Sequence, residues 1–161
     1  MDTFLKYKIG FRSWDLVIIR DSEIYLKSIN LNLVYMWPFY DLSKSVCDIH
    51  SMTRTVPEFD CYCGIYSFKL MDSFPEFGSI FGRVSLWGKI IEHENGFRSQ
   101  FAYPISIEYL RCYFCKKILE VESIKIFFDE PSLTRGGLDP MCSTCCNKLE
   151  NDFKFFPASS F

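Results

Sequence analysis

The first forty residues alternate short hydrophobic runs with polar turn residues. Phe11, Trp14 and the run at 16–19 precede a polar pair at 21–22, and a second run follows at 24–26, a pattern that predicts two short strands joined by a tight turn. A third run at 31–37 ends at Pro38, and because proline cannot donate a ladder hydrogen bond, it predicts the end of that strand. The N-terminal part of the chain is therefore expected to begin a β-sheet.

The clearest local pattern predicts a hairpin at residues 83–107 with Asn95-Gly96 at its tip. These two residues tolerate the positive φ that a type I′ turn needs at both positions. If Glu94 pairs with Phe97, six hydrophobic residues fall on one face of the hairpin. These core-facing residues are Val84, Leu86, Ile90, Phe101, Ile105 and Ile107. The opposite face then pairs His93 with Arg98, Ile91 with Gln100, and Trp87 with Pro104.

Helical patterns are short and lie in two places. Residues 41–47 predict a short helix with Asp41 as its N-cap, and residues 142–155 have helical character. Before the second helix, residues 123–128 alternate weakly, as in a strand. Residues 129–139 contain a proline and two adjacent glycines, which predicts a loop. The chain therefore predicts an α+β fold that is predominantly antiparallel β.

Composition predicts a core rich in aromatic rings and an intracellular environment. The 161 residues include 17 Phe, 9 Tyr and 3 Trp, side chains that bury large areas. Eighteen Lys and Arg against 20 Asp and Glu give a formal charge of -2, so no global positive field draws the chain to nucleic acid or acidic membranes. No stretch approaches the roughly 20 apolar residues of a membrane span, and the N-terminus lacks the order of a signal peptide. We therefore expect a cytoplasmic protein without membrane contact.

Two C-x-x-C pairs near the C-terminus predict a zinc site. Cys112 and Cys115 precede Cys142 and Cys145, and four thiolates at this spacing are the ligand set of a structural Zn²⁺ ion with no open position for a substrate. Cys146 is an alternative to Cys145, although adjacent residues on a helix diverge by roughly 100 degrees, which favours the x-x spacing. Without an export signal, reduced thiols that hold metal are favoured over disulfides.

The order of these pairs resembles the treble-clef class of zinc modules and, more loosely, the zinc ribbons. A knuckle follows a strand that ends near Leu110, and the second pair opens a helix. The resemblance covers about residues 110–156 and implies a metal site without implying a function. We therefore predict a mostly β domain at 1–108, with the long hairpin at 83–107, and a zinc-clamped, treble-clef-like knuckle-and-helix tail at 109–161.

A second group of candidate ligands lies in the predicted first domain. Cys47, His50, Cys61 and Cys63 offer three thiols and one imidazole, enough for a second zinc site. Cys-x-Cys is a less common ligand spacing than Cys-x-x-Cys, so buried free cysteines are the alternative. One Zn²⁺ ion is therefore expected, and a second is left open.

Four motifs in the first domain resemble an uncharacterised bacterial domain. They are G-aromatic-R-x-W at 10–14, C-x-C-G-I-Y at 61–66, L-W-G at 86–88 and E-H-x-x-G-x-R at 92–98. The resemblance covers about residues 8–107. It implies a bacterial or phage origin and supplies no reaction.

The hairpin face away from the predicted core carries a candidate recognition strip. Arg98 offers a planar guanidinium, His93 lies across the turn from it, and Trp87 offers a stacking surface. A solvated hairpin tip with weak polar pairs is the alternative. The sequence contains no recognised catalytic set of nucleophile, base and orienting group.

Three functions fit these patterns. The first is a non-enzymatic, zinc-stabilised binding module that acts through protein–protein interaction, which the acidic charge favours. The second is nucleic-acid binding through charges and rings at the first knuckle. The third is a small-ligand or enzymatic pocket around His93 and Arg98, with Trp14, Trp37 and Tyr66 as further walls. The knuckle residues of the second hypothesis are Arg111, Tyr113, Phe114, Lys116 and Lys117.

Overall fold

Strands make up most of the structure. The computed structural model describes residues 6–19, 23–29, 36–37, 41–47, 55–71, 78–119, 125–129, 136–149 and 155–157. The first strands are β1 (Lys8–Ile19), β2 (Glu23–Ser28), β3 (Met36–Trp37), β4 (Ser43–Lys44), β5 (Ile65–Phe68), β6 (Ile80–Glu92) and β7 (Gly96–Arg111). The later elements are β8 (Ile118–Leu119), β9 (Lys125–Asp129), β10 (Gly136–Met141), the helix α1 (Ser143–Leu149) and β11 (Phe155–Pro157). The defined strand registers in these ranges are antiparallel, so the predicted β-rich class is confirmed.

Contacts group the chain into two compact units. The first unit comprises 1–12, 40–76 and 82–106, and the second comprises 13–39, 77–81 and 107–161. Strands β1, β6 and β7 contribute residues to both units. The predicted domain division at residue 108 stays a prediction. In the described ranges no helix has the length and hydropathy that a membrane crossing needs.

The hydrophobic runs at the N-terminus form the predicted antiparallel pair β1 and β2, which builds the core of the second unit. Leu16 faces Leu26 across the pair, and Leu26 also faces Trp37 on β3. Trp14 and Trp37 are almost fully buried and meet edge-on, with ring centroids 5.7 Å apart. The Trp37 indole N–H donates to Ser28 Oγ at 3.2 Å, which satisfies a buried donor.

Residues 41–47 do not form the predicted helix. Strand β4 occupies the middle of this segment and pairs with β7, and Ser45 N donates to Gln100 O at 2.8 Å. Asp41 Oδ1 accepts a hydrogen bond from the backbone N–H of the next residue, Leu42, at 2.7 Å. A short segment with a weak period adopts an extended conformation here because β7 offers backbone groups that need partners.

The C-terminal elements differ from prediction in their bounds. Strand β9 overlaps the strand predicted at 123–128, whereas β10 begins inside the segment predicted to be a loop. Gly137 pairs with Val17 of β1 and with Asp129 of β9, so the adjacent glycines extend a strand between two others. The helix ends at Leu149, and β11 pairs with β9, so the helix predicted to reach residue 155 is too long. The turn predicted at 21–22 lies outside the described residues.

The turn between β6 and β7 lies one residue earlier than predicted. His93 N donates to Gly96 O at 2.8 Å, which leaves Glu94 and Asn95 between the paired ends. Gly96 does not adopt a left-handed φ, so a type I′ turn does not explain it. The glycine is required instead by the close approach of β5, because a Cβ at Gly96 would collide with the carbonyl oxygen of Ser67.

The hairpin is buried on both faces near its tip, which corrects the single predicted core face. Val84 and Leu86 are fully buried as predicted, but Ile91, on the opposite face, is only 3% exposed. Gly88, with φ near +75°, interrupts the regular alternation along β6. The predicted core positions that are half-buried or exposed are Ile90, Phe101, Ile105 and Ile107.

We predict that Gly96→Ala lowers the free energy of unfolding by about 1 to 3 kcal/mol, because the added methyl group must push β5 away. Chemical denaturation measures this change. Asn95→Ala, an exposed change in the same turn, serves as the control and should leave the midpoint nearly unchanged. Equal midpoints for the two variants would contradict the close strand approach.

Candidate metal centres and an aromatic cleft

Four cysteines of the second unit converge where β7 ends and α1 begins. The Sγ atoms of Cys112, Cys115, Cys142 and Cys145 all lie within 4.8 Å of one another, and the Cys115 and Cys142 sulfurs are 3.7 Å apart. A tetrahedral Zn²⁺ ion with Zn–S bonds of ~2.3 Å places its sulfurs about 3.8 Å apart. All four thiols are free of disulfide bonds. The cluster could therefore hold one metal ion.

The first cysteine pair lies on a tight turn closed by β7 and β8. Leu110 pairs with Leu119 on either side of this turn. Within it, Cys112 N donates to Lys117 O at 2.8 Å, and Lys116 N donates to Cys112 O at 2.9 Å. Lys116 adopts a left-handed φ of 60°, which allows the chain to reverse. Backbone hydrogen bonds thus form the knuckle that the sequence predicted.

The second pair is positioned by the start of α1. Cys146 N donates to Cys142 O at 2.9 Å in the first helical turn, and Cys145 N lies 3.4 Å from Cys142 Sγ, as in an N-cap. Tyr113 N donates to Pro140 O at 2.9 Å, which ties the knuckle to β10. The structure places Cys145 in the cluster, whereas Cys146 is 1% exposed and contributes no sulfur to the four.

The electrostatics of the four thiols favour the binding of a cation. Burial raises the pKa of Cys112, but backbone N–H groups of Cys142, Cys115 and Phe114 outweigh it and lower the pKa to about 7. Burial, followed by the neighbouring Cys142, Cys115 and Cys112 sulfurs, raises the pKa of Cys145 to about 12. Four thiols this close cannot all ionise on their own, and a divalent cation supplies the charge that stabilises four thiolates.

Three cysteines of the first unit form a second cluster. The Sγ atoms of Cys47, Cys61 and Cys63 lie within 4.8 Å of one another, and those of Cys47 and Cys61 are 3.3 Å apart. Burial, followed by the Cys61 side chain, raises the pKa of Cys63 to about 11. His50, the predicted fourth ligand, lies outside the described residues. The three sulfurs could hold a second metal ion.

Arg98 is buried, which corrects the exposed position predicted for it in the recognition strip. Its side chain donates to the carbonyl oxygens of Cys61 and Cys63, and its Nε donates to His93 Nε2 at 2.9 Å. The residue is 4% exposed, so its N–H groups need these acceptors in place of water. Arg98 therefore joins the thiol-bearing loop to the hairpin tip. Trp87, the third strip residue, is half-buried and stacks on the Phe101 ring.

A cleft of about 700 Å³ opens beside this loop in the first unit. Phe59 and Tyr62 extend from the loop with 82% and 88% of their surface exposed, and Tyr66 of β5 is 44% exposed. Tyr66 Oη donates to Tyr62 O at 2.7 Å, which links the two walls. Asp60, His93, Glu94 and Arg98 are among the polar residues that line the cleft.

The cleft differs in composition from the predicted pocket. Tyr66, His93 and Arg98 line it as predicted, whereas Trp14 and Trp37 lie in the core of the second unit. Sequence reasoning missed Phe59 and Tyr62 as surface residues. One feature of the sequence could have indicated the exposed position of Tyr62, namely its place between the candidate metal ligands Cys61 and Cys63.

Comparisons with known proteins supply no relative for this chain. No family model, no curated protein and no solved structure matches it. The resemblances to treble-clef modules and to a bacterial domain therefore stay predictions. The structure itself shows the two cysteine clusters and their β-rich setting.

We predict that Arg98→Ala lowers the free energy of unfolding by about 2 to 4 kcal/mol, because two buried carbonyl groups and an imidazole lose their donor. Thermal and chemical denaturation measure the loss. Arg83→Ala is the matched control, since Arg83 is exposed and donates to Ser106 Oγ at 3.2 Å, and we expect it to cost less than about 1 kcal/mol. Similar small losses in both variants would show that Arg98 does not hold the loop.

Proposed function

We propose that this protein is a non-enzymatic, zinc-stabilised binding module that acts through protein–protein interaction. The observation that carries the proposal is the exposure of Phe59 and Tyr62 on the short loop that also bears Cys61 and Cys63. A large aromatic ring that is exposed to water lacks the favourable hydrophobic free energy of burial, which a partner that covers the ring would supply. Aromatic side chains are enriched in protein interfaces and supply many of their energetic centres.

Zinc is the metal that best suits both clusters. Thiolate ligands select soft or borderline ions such as Zn²⁺ over Mg²⁺ and Ca²⁺, which prefer oxygen. Four cysteine ligands in the second unit leave no open coordination position, so the ion there has a structural role. In the first unit we retain His50 as the proposed fourth ligand to Cys47, Cys61 and Cys63.

Catalysis by His93 is less well supported than binding as the function of the cleft. Its Nε2 accepts a hydrogen bond from Arg98 Nε, so this nitrogen is occupied within the chain. A general base needs a free nitrogen that reaches the proton it removes. Because Nε2 accepts this hydrogen bond, the neutral ring carries its proton on Nδ1 and has no free lone pair for a general base, which supports a binding role for the cleft.

Nucleic-acid binding at the knuckle is also less well supported. The Arg111 guanidinium lies 4.8 Å from the centroid of the buried Phe81 ring, and Lys116 Nζ lies 5.0 Å from the Tyr113 ring. These cations are engaged by rings of the same chain, and a backbone-binding groove relies on cations that reach phosphate.

We predict that elemental analysis of the purified chain finds two zinc ions per molecule. Cys142→Ser and Cys63→Ser should each lose one ion, because each removes a thiolate from a different cluster. Cys146→Ala is the control and should retain both ions. A stoichiometry of one in the unaltered chain would reject the second site, and zinc loss in the control would reject the ligand assignment.

We predict that position 62 cross-links to protein. The photo-cross-linker benzoylphenylalanine replaces Tyr62 in the chain, and irradiation in a lysate of the native source should give discrete adducts that protease removes and nuclease does not. The same replacement of Tyr113 is the control, because this ring is also exposed and also adjoins a cluster cysteine. Nuclease-sensitive adducts from position 113, with none from position 62, would favour nucleic-acid binding instead.

A further inference from the structure

We propose that the cleft of the first unit recognises a cationic side chain, lysine or arginine, presented by a protein partner. The inference rests on the proposed function and adds the chemistry of the residue that is bound. It is carried by the aromatic walls of the cleft, by the charge of its lining, and by the way the thiol loop is held.

The walls of the cleft carry exposed aromatic rings. The Tyr62 side chain is 88% exposed, and that of Tyr66 is 44% exposed. The Tyr66 ring already accepts one cation, because the Arg98 guanidinium carbon lies 5.9 Å from its centroid. Aromatic faces attract ammonium and guanidinium groups through the ring quadrupole, and they also cover the aliphatic stem of a lysine or arginine.

The charge of the lining is complementary to a cation. Asp60 and Glu94 contribute carboxylates, and Glu94 is exposed at the hairpin tip. The guanidinium in the described lining belongs to Arg98, whose donors point to Cys61 O, Cys63 O and His93. An incoming cation therefore meets carboxylates at the rim, while the resident cation is bound by the loop behind them.

Nearby lysines are held by other carboxylates. Glu92 accepts Lys8 at 3.3 Å and Lys69 at 2.8 Å, and Glu58 accepts Lys89 at 2.6 Å. These pairs orient the lysine side chains toward carboxylates outside the described cleft lining. Glu94 forms no ion pair among the described residues, so its exposed carboxylate can meet an external cation.

The thiol cluster pre-organises the ring that makes the first contact. Tyr62 lies between Cys61 and Cys63, whose sulfurs belong to the cluster and whose carbonyl groups are bound by Arg98. Holding both neighbours limits the positions that the ring can take, and less conformational entropy is then lost when a ligand binds. A metal ion on the cluster would strengthen this restraint.

Fluorescence anisotropy with a labelled heptapeptide, Gly-Ser-Leu-Lys-Leu-Ser-Gly, tests the proposal on the zinc-loaded chain. Versions with arginine, norleucine or glutamate replace the central lysine. We expect the lysine and arginine peptides to bind about tenfold more tightly than the norleucine and glutamate peptides. Equal affinity for lysine and norleucine, a preference for glutamate, or no binding of any version at the highest soluble concentration would overturn the proposal.

Variants locate the binding to the cleft. Tyr62→Ala and Glu94→Gln should each weaken binding of the lysine peptide about fivefold, whereas Tyr62→Phe keeps the ring face and should stay within about twofold. Tyr113→Ala and Glu108→Gln are exposed controls in the second unit and should also stay within about twofold. Weakening by the controls, or full binding by Tyr62→Ala, would overturn the site.

The outcome is separable from that of the proposed function. Protein adducts from position 62 with no charge preference among the peptides would leave the protein-binding function standing and remove cation recognition. Absence of protein adducts from position 62 would remove the function itself. Zinc content measured on each variant shows whether the clusters are intact.

Discussion

Sulfur atoms held within 4.8 Å of one another are the constraint on which each unit depends. Thiols at this distance cannot all carry negative charge without a cation, and burial, followed by the neighbouring sulfurs, raises the pKa values of Cys63 and Cys145. A divalent ion converts this repulsion into attraction and contributes its binding free energy to folding. In both units the sulfurs lie outside the strands, and in the second unit Cys145 belongs to the short helix α1. A metal ion at these positions would stabilise the cysteine-bearing segments, which the strand hydrogen bonds do not hold.

Ordinary backbone chemistry brings the second-unit sulfurs together. The β7–β8 turn is closed by hydrogen bonds of Cys112, and the start of α1 aligns Cys142 with Cys145. A hydrogen bond from Tyr113 N to Pro140 O connects the two supports, and Cys142 N also lies 3.5 Å from Cys112 Sγ. The helix has only seven residues, so it would be marginal alone and is stabilised by what surrounds it.

In the first unit a buried arginine takes the organising role beside the thiols. Arg98 satisfies two carbonyl groups of the Cys-x-Cys loop and one imidazole nitrogen, so the loop is attached to β7 through directional bonds. This attachment turns Tyr62 toward solvent and leaves a cleft between the loop and the hairpin tip. The surface that we propose for partner binding is therefore positioned by the hydrogen bonds of the buried Arg98.

Features that depend on local spacing could be predicted from the sequence. The C-x-x-C pairs predicted a four-sulfur cluster because each motif of four residues can turn two sulfurs toward one point, and two such pairs are a recognised ligand set. Short hydrophobic runs bounded by polar turn residues predicted β1 and β2, and consecutive Leu16 and Val17 are both buried in the strand. In the sequence a metal site at Cys47, Cys61 and Cys63 is left open beside buried free cysteines, since Cys-x-Cys is a less common ligand spacing and Cys47 lies 14 residues from Cys61.

The remaining features depend on contacts between segments that lie far apart in the sequence. Residues 41–47 are extended because β7 has backbone groups to pair. Position 96 requires glycine because β5 approaches it closely. Neither reason is visible within the segment itself. Arginine is ordinarily a surface residue, so burial of Arg98 could not be predicted without knowing that distant carbonyl groups would surround it. Local patterns determine which elements form, whereas partners that lie far away in sequence determine which side chains are buried, because burial depends on what covers a face.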